Sequence, residues 1–262
     1  MKISISNIAW SKEDNNIVYD FMVDNGIEGL EIAPTQLVGA NPYEKIDDAK
    51  IIVQKLREEY NIIISSMQSI WYGREEKMFF SDKDRTILLD YTKEAIDFAS
   101  AIDCKNLVFG SPKNRVLQKK EQYKVAIEFF QELADYAKEK NTCIAMEANP
   151  TIYNTNFINN HKEALKIIKD VNSEGFKMNF DFGTLIANNE SVYDIENYMD
   201  YINHIHISEP YLNQIKKRKE HEILACILKE YKYDKYISIE MKNWDNIENV
   251  KDTLLYVKDV FM

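Results

Sequence analysis

Four stretches in the second half of the chain share one design: Thr142 to Pro150, Phe176 to Gly183, Ile202 to Pro210 and Tyr236 to Lys242. Each is a short run rich in Ile, Phe, Met and Tyr, bounded by polar or turn residues, so each reads as a β-strand. Side chains alternate sides along a strand. One parity holds Ile144, Met146, Met178, Phe180, Ile205, Ile207, Ile237, Ile239 and Met241. The other holds Glu147, Asn179, Asp181, His204, His206, Ser238, Glu240 and Lys242. The first parity is a surface for helices to pack on. The second collects acids and imidazoles near the C-terminal end of every strand, where a desolvated charge is costly without a partner or a metal.

Earlier in the chain the same unit recurs. Ile3 to Trp10 alternates as a strand and Ser11 to Asn25 as a helix, with Ser11-x-x-Asp14 resembling a capping box and Gly26 as a stop. Ile27 to Pro34, Ile62 to Gln68 and Lys105 to Pro112 read as strands, with helices expected over Pro42 to Tyr60, Asp82 to Ile102 and Lys119 to Lys140. After the fifth strand, helices are expected over Asn160 to Asn172, Val192 to Met199, His221 to Tyr231 and Ile247 to Met262. Eight strand-then-helix units in 262 residues match one closed (β/α)8 barrel, typically about 250 residues long. An open doubly wound sheet would begin with a glycine-rich turn, and the first turn here, Ala9-Trp-Ser-Lys-Glu13, has none. No composition shift marks a boundary, so residues 1–262 are expected to form one domain.

Charge restricts the partners. A net charge of -10 opposes a nucleic-acid or anionic-membrane surface, which leaves a small soluble substrate. No apolar run approaches the roughly 20 residues needed to span a bilayer. Met1-Lys2 leads into a strand too short for a signal segment. Cys104, Cys143 and Cys226 form no CxxC pair, as expected of reduced thiols in a cytoplasmic protein.

In a parallel barrel all strand C-termini open on one face, so Glu147, Asp181, His206 and Glu240 are expected to converge there. Three carboxylates and one imidazole form a mostly oxygen ligand set that suits Mn²⁺ or Mg²⁺, with Co²⁺ or Zn²⁺ as alternatives. Like charges this close cannot all ionise in a dry pocket without a cation. Singly, each residue has a plainer reading: Asp181 before Phe-Gly is a fair helix N-cap, and a lone His is more often structural. It is their shared parity on four consecutive strands that favours a metal.

Gly29-Leu-Glu31-Ile-Ala, Ala145-Met-Glu147, Phe180-Asp181, His206-Ile-Ser-Glu209 and Ser238-Ile-Glu240 together resemble the xylose isomerase-like TIM barrel superfamily, in its tagatose-epimerase-like branch. The resemblance spans essentially the whole chain. It implies a metal shell of Glu147, Asp181, His206 and Glu240, with Glu147 and Glu240 doubling as the acid/base pair. It further implies proton abstraction next to a carbonyl through a metal-stabilised enediolate, hence an isomerase or epimerase of a small sugar or sugar phosphate. One position departs: relatives often carry a substrate-touching histidine three residues after the strand-six aspartate, and here Thr184 stands there.

Further contacts are expected around this core. Glu31 and Gln68 could reach sugar hydroxyls, Asn149 could donate to substrate, and Trp10 offers an aromatic face at the mouth. Glu209, His221 and Lys242 are further substrate candidates, with a loop ion pair, a helix start and an outward-pointing amine as their plainer readings. Lys113 and Arg115, with the Lys216 to Lys219 run, could take a substrate phosphate or form an ordinary solvated face. Competing functions are a dehydratase or lyase on a related polyol ketone and a non-catalytic sugar-binding barrel. A DNA hydrolase like endonuclease IV is disfavoured by only four histidines and the acidic balance. A homo-oligomer is compatible with all of these.

Overall fold

Alternation along the strands dictates the architecture. In the computed structural model, which describes all 262 residues, β1 (Lys2–Ser6), β2 (Gly29–Ile32), β3 (Ile63–Met67), β4 (Leu107–Phe109), β5 (Ile144–Glu147), β6 (Phe176–Asp181), β7 (Ile202–Ser208) and β8 (Tyr236–Glu240) close into one parallel barrel in sequence order. β1 completes the closure by pairing with β8, Lys2 opposite Tyr236 and Ile5 opposite Ile239. This is the (β/α)8 fold expected from the sequence.

Around it lie α1 (Asn15–Asp24), α2 (Pro34–Val38), α3 (Ile46–Tyr60), α4 (Asp82–Ala101), α5 (Tyr123–Glu139), α6 (His161–Val171), α7 (Phe182–Asn188), α8 (Lys219–Glu230) and α9 (Ile247–Phe261). Helix α5 shows why they stay there: Ala126, Phe129, Phe130, Leu133, Ala134 and Ala137 are buried along one face. Side-chain caps fix several starts, with Ser81 accepting from Asp84 N and Asn160 from Glu163 N. One continuous apolar core of 68 buried residues leaves no seam for a second domain. No helix is long and apolar enough to cross a membrane.

The inner face is polar rather than filled with branched aliphatics as most such barrels are. Ser4 and Ser65 hydroxyls meet at 2.6 Å, and Asn106 donates to Ser66 Oγ at 2.9 Å. Two register shifts re-aim side chains on this face. Leu30 pairs with Ile64 but Glu31 with Ser66, and Met178 pairs with Ile202 but Asn179 with His204. Glu31 and His204, each just past a shift, are both buried.

Element ends depart from expectation where strands give way to loops. The first strand stops at Ser6, four residues before Trp10, and Ser11 Oγ donates to the Asp14 side chain instead of capping the helix. Gly39 at φ 83 splits the second helical region into α2 and α3. Val192–Asn197 is a 3-10 segment, whereas α7 follows β6 directly because Asp181 caps it.

Candidate metal centre

Each of the four residues sits at or near the end of a buried strand, so backbone hydrogen bonding fixes where its side chain starts. Ligand atoms of Glu147 on β5, Asp181 on β6, His206 on β7 and Glu240 on β8 lie within 4.8 Å of one another. His206 Nδ1 is 3.2 Å from Glu147 Oε2 and 3.2 Å from Glu240 Oε2. Residues far apart in sequence thus share a space that one ion can fill.

The buried surroundings hold each group in place. Glu147 receives Asn149 Nδ2 on Oε1 at 2.8 Å and Asn179 Nδ2 on Oε2 at 2.9 Å. Asn149 is itself oriented by Arg115, whose Nη2 donates to Asn149 Oδ1 at 2.6 Å and to the Glu147 carbonyl at 2.8 Å. Asp181 accepts the Thr184 backbone N–H at 2.6 Å on Oδ1 and the Ser208 hydroxyl on Oδ2. It is therefore an N-cap and a member of the cluster at once. Gly110 and Gly183 make room: a Cβ on Gly110 would lie 2.9 Å from Glu147 Oε1, and one on Gly183 3.3 Å from Asp181 Oδ1 and 2.7 Å from Ser208 Oγ.

Beneath the cluster is a fully buried carboxylate. Glu31 Oε2 lies 2.9 Å from His206 Nε2 and 3.1 Å from His204 Nε2. An ionised carboxylate only accepts, so His206 carries a proton on Nε2 and aims Nδ1 at the mouth. Although two oxygens are 3.2 Å from it, Nδ1 has no well-directed hydrogen bond to either. A buried ring nitrogen facing three carboxylates without a directed partner is one that a metal ion could satisfy.

The titration of the cluster reports the same crowding. Burial, reinforced by the charges of Glu147 and Asp181, pushes the Glu240 carboxyl up to about 7 against the pull of His206. Burial and Glu147 also raise Asp181. Burial would raise Glu147, but His206, Asn149 and Arg115 together bring it below its ordinary value. His206 is drawn well above its ordinary range by Glu31 and Glu240 despite burial. Three acids and one base share fewer charges than they could carry, a conflict that a dication removes.

The other expected contacts divide. Glu31 lies under His206, and Gln68 donates to Ser6 Oγ at 2.8 Å and to Glu31 Oε1 at 3.4 Å. Asn149 belongs to the Glu147 carboxylate. Trp10 is buried and donates from Nε1 to Asn15 Oδ1 at 2.8 Å, because the chain turns inward after β1. Both Glu209 oxygens go to Arg218, at 2.7 and 2.6 Å. His221 is buried in α8 with Nδ1 2.9 Å from the Tyr256 hydroxyl and its ring 4.3 Å from that of Phe182. Lys242 points outward with Nζ 4.3 Å from the Trp244 ring centroid, and Lys113 is exposed. Arg115, read from the sequence as either a phosphate contact or part of a solvated face, is neither: it is fully buried behind Glu147. Sequence reasoning missed the support given by His204, Asn179 and Ser208. Their common parity with the four clustered residues was the available signal.

Fold and cluster together define a class: single-domain parallel barrels that gather acids and one imidazole, a set able to hold a metal, at the C-terminal mouth of their strands. The family model described as xylose isomerase-like TIM barrel matches residues 19–260, and the chain belongs to that family. No curated protein matches it. Among solved structures it is similar to the apo form of 3-keto-D-glucoside 4-epimerase from E. coli, with a TM-score of 0.81 and 16% identity over 99% of each chain. It is also similar to D-psicose 3-epimerase from Clostridium cellulolyticum H10 solved with D-tagatose, with a TM-score of 0.79 and 15% identity over 100% of this chain and 99% of that one. A structure titled AP endonuclease, family 2, from Brucella melitensis has a TM-score of 0.70 and 19% identity, covering 93% of this chain and 94% of that one.

Proposed function

We propose that the protein is a divalent-metal-dependent epimerase or isomerase of a small sugar, working by proton transfer next to a carbonyl. One observation carries this reading: Glu147 and Glu240, from strands three places apart in the barrel, each set an oxygen 3.2 Å from the same His206 Nδ1. Two carboxylates around one point are the apparatus for taking a proton from carbon and returning one. Burial raises Glu240 to about 7, whereas the hydrogen bonds and charges of His206, Asn149 and Arg115 outweigh burial at Glu147 and hold it below its ordinary value, so the two are far enough apart to divide the roles.

The residues that would hold the ion are Glu147, Asp181, His206 and Glu240, and the oxygen-rich set suits Mn²⁺ or Mg²⁺. When bound, such an ion supplies Lewis acidity toward a ketone oxygen and its neighbouring hydroxyl, which acidifies the adjacent C–H. Glu147, held rigid by Asn149 and Asn179, takes the proton on one side. Glu240 returns one from the other, inverting the carbon. Glu31 keeps His206 in the tautomer that faces the mouth. The epimerase titles of the two similar structures agree with inversion rather than transfer to the neighbouring carbon.

The test is solvent exchange. With Mn²⁺ and a panel of free ketoses in D₂O, deuterium should enter one carbon next to the carbonyl, chelator should stop this, and Glu240→Gln should abolish net inversion. Turnover undiminished by exhaustive chelation would refute the reading, as would metal-loaded protein that exchanges no ketose proton.

A further inference from the structure

Thr184 leaves a role open at the mouth. Its hydroxyl donates to the Ala148 carbonyl at 2.8 Å, tying α7 to the end of β5, so it is committed within the protein. It has no hydrogen left to offer a substrate.

The loops after β5 and β7 meet at one phenol. Tyr153 ends the 3-10 turn Thr151–Tyr153, and its hydroxyl oxygen accepts the backbone N–H of Tyr211 at 2.8 Å. The two rings are edge to face with centroids 5.7 Å apart. Tyr211, at φ 63 and ψ 22, and Leu212, at φ 53, are consecutive non-glycine residues in the left-handed region. Side chains of this size adopt that region only where their surroundings impose it, and such sites cluster at ligand clamps. Here the Tyr153 oxygen holds Tyr211 N, Glu209 O holds Leu212 N at 2.9 Å, and Leu212 O accepts Lys242 N at 3.0 Å. The strained turn is thus clasped from β5 on one side and β8 on the other. Its product is an exposed Tyr211 ring beside a half-buried Tyr153.

The Tyr153 oxygen accepts from Tyr211 N, and its own O–H, still able to donate, meets no acceptor in the protein. Burial, with the charges of Asp181, Glu240 and Glu147, keeps the phenol protonated, its pKa pushed up to about 12, so its O–H remains a donor. In the mouth loops Arg115 is already engaged with Asn149 and Arg218 with Glu209, while Lys113, Lys216, Lys217, Lys219 and Lys242 are exposed. None of these is a buried cation left to hold a phosphate. Three carboxylates around one dication still carry excess negative charge, which disfavours a phosphate nearby.

We infer that Tyr153 is a substrate-binding, specificity-determining residue that donates its phenolic hydrogen bond to an oxygen of an uncharged sugar, with the Tyr211 ring packing against the sugar's apolar side. The inference rests on the reading of the cluster as a sugar epimerase or isomerase site, and it narrows the substrate to unphosphorylated sugars.

Saturation-transfer NMR on the full-length, Mg²⁺-loaded protein tests it, with D-tagatose, D-fructose and D-fructose 6-phosphate as probes. Wild type should bind at least one free ketose. Tyr153→Phe, which keeps the ring contact but removes the acceptor of Tyr211 N, should raise that dissociation constant about tenfold while ion stoichiometry stays as in wild type and the melting temperature falls by no more than a few degrees. Tyr211→Ala should weaken binding several-fold in the same assay. An unchanged dissociation constant in Tyr153→Phe would overturn the inference. So would loss of the metal ion in that variant, or tighter binding of D-fructose 6-phosphate than of D-fructose. Wild-type protein that holds its ion and binds no ketose would instead sink the sugar reading itself, and the role of Tyr153 with it.

Discussion

Gly110, one residue beyond β4, gives the sharpest perturbation of the candidate metal centre. Its φ is not positive, so alanine meets no backbone strain there. The added Cβ would lie 2.9 Å from Glu147 Oε1, 3.6 Å from Asn149 Oδ1 and 3.8 Å from Asn149 Nδ2. Ordinary contact begins at 3.4 Å, so the oxygen must retreat by 3.4 − 2.9 = 0.5 Å. A solvent-exposed glutamate would swing aside freely. This one is held by Asn149 at 2.8 Å and by Asn179 at 2.9 Å, so retreat stretches a hydrogen bond to a charged group, worth about 1.5–3 kcal/mol. Half of the smaller figure already corresponds to several-fold in affinity, and all of it to about tenfold. Gly110→Ala should therefore weaken Mn²⁺ binding, measured by calorimetry, about tenfold. Its melting temperature should fall by only a few degrees, since about 1 kcal/mol shifts a domain of this size by 2–4 °C. Wild-type Mn²⁺ affinity in a folded Gly110→Ala protein would refute the claim that Glu147 is held in its liganding position.

Other perturbations separate stability from the site. Gly175→Ala would drive a Cβ to 1.9 Å from the Ala134 carbonyl oxygen, a backbone atom that cannot yield, so chemical denaturation should show a loss of roughly 3 kcal/mol or more while the folded fraction binds Mn²⁺ normally. Glu31→Gln removes the charge that fixes His206, and Mn²⁺ affinity should fall about 10–100-fold with the fold intact by circular dichroism. Burial, then the charge of Arg218, pushes His221 down to about 4. The unfolded chain, with a histidine near pH 6.5, therefore binds more protons than the native one between about pH 4 and 6.5, and stability must fall as pH drops through that window, by roughly 3 kcal/mol from this residue. In His221→Phe, urea unfolding should lose about one proton's worth of that slope; an unaltered slope would remove His221 as its source.

Much of the fold was legible because the strands of the second half repeat a two-residue alternation and nearly every helix carries its own apolar stripe. Glu147, Asp181, His206 and Glu240 were legible because a parallel barrel converts a shared parity into a shared place. Helix α7 was not: Phe182-Gly-Thr-Leu-Ile continues the apolar run of β6, and only the capping contact from Asp181 to Thr184 N ends the strand. Nor was the job of Glu31, which meets His206 across 175 positions, a pairing that no local pattern encodes. Arg115 misled for a related reason. An arginine two residues after a lysine in a loop resembles a solvated basic patch, and only the packed chain shows it threaded behind β5. Tyr153 carried no signal at all, since its value lies in a hydrogen bond with a strained residue 58 positions away.

The central claim is that Glu147, Asp181, His206 and Glu240 grip a single dication. Anomalous diffraction from a crystal grown with Mn²⁺ tests it most directly. One peak per chain, bonded to His206 Nδ1 and to oxygens of the three acids, is the predicted result. A map with no peak among these residues, or with the manganese bound elsewhere on the chain, would contradict it.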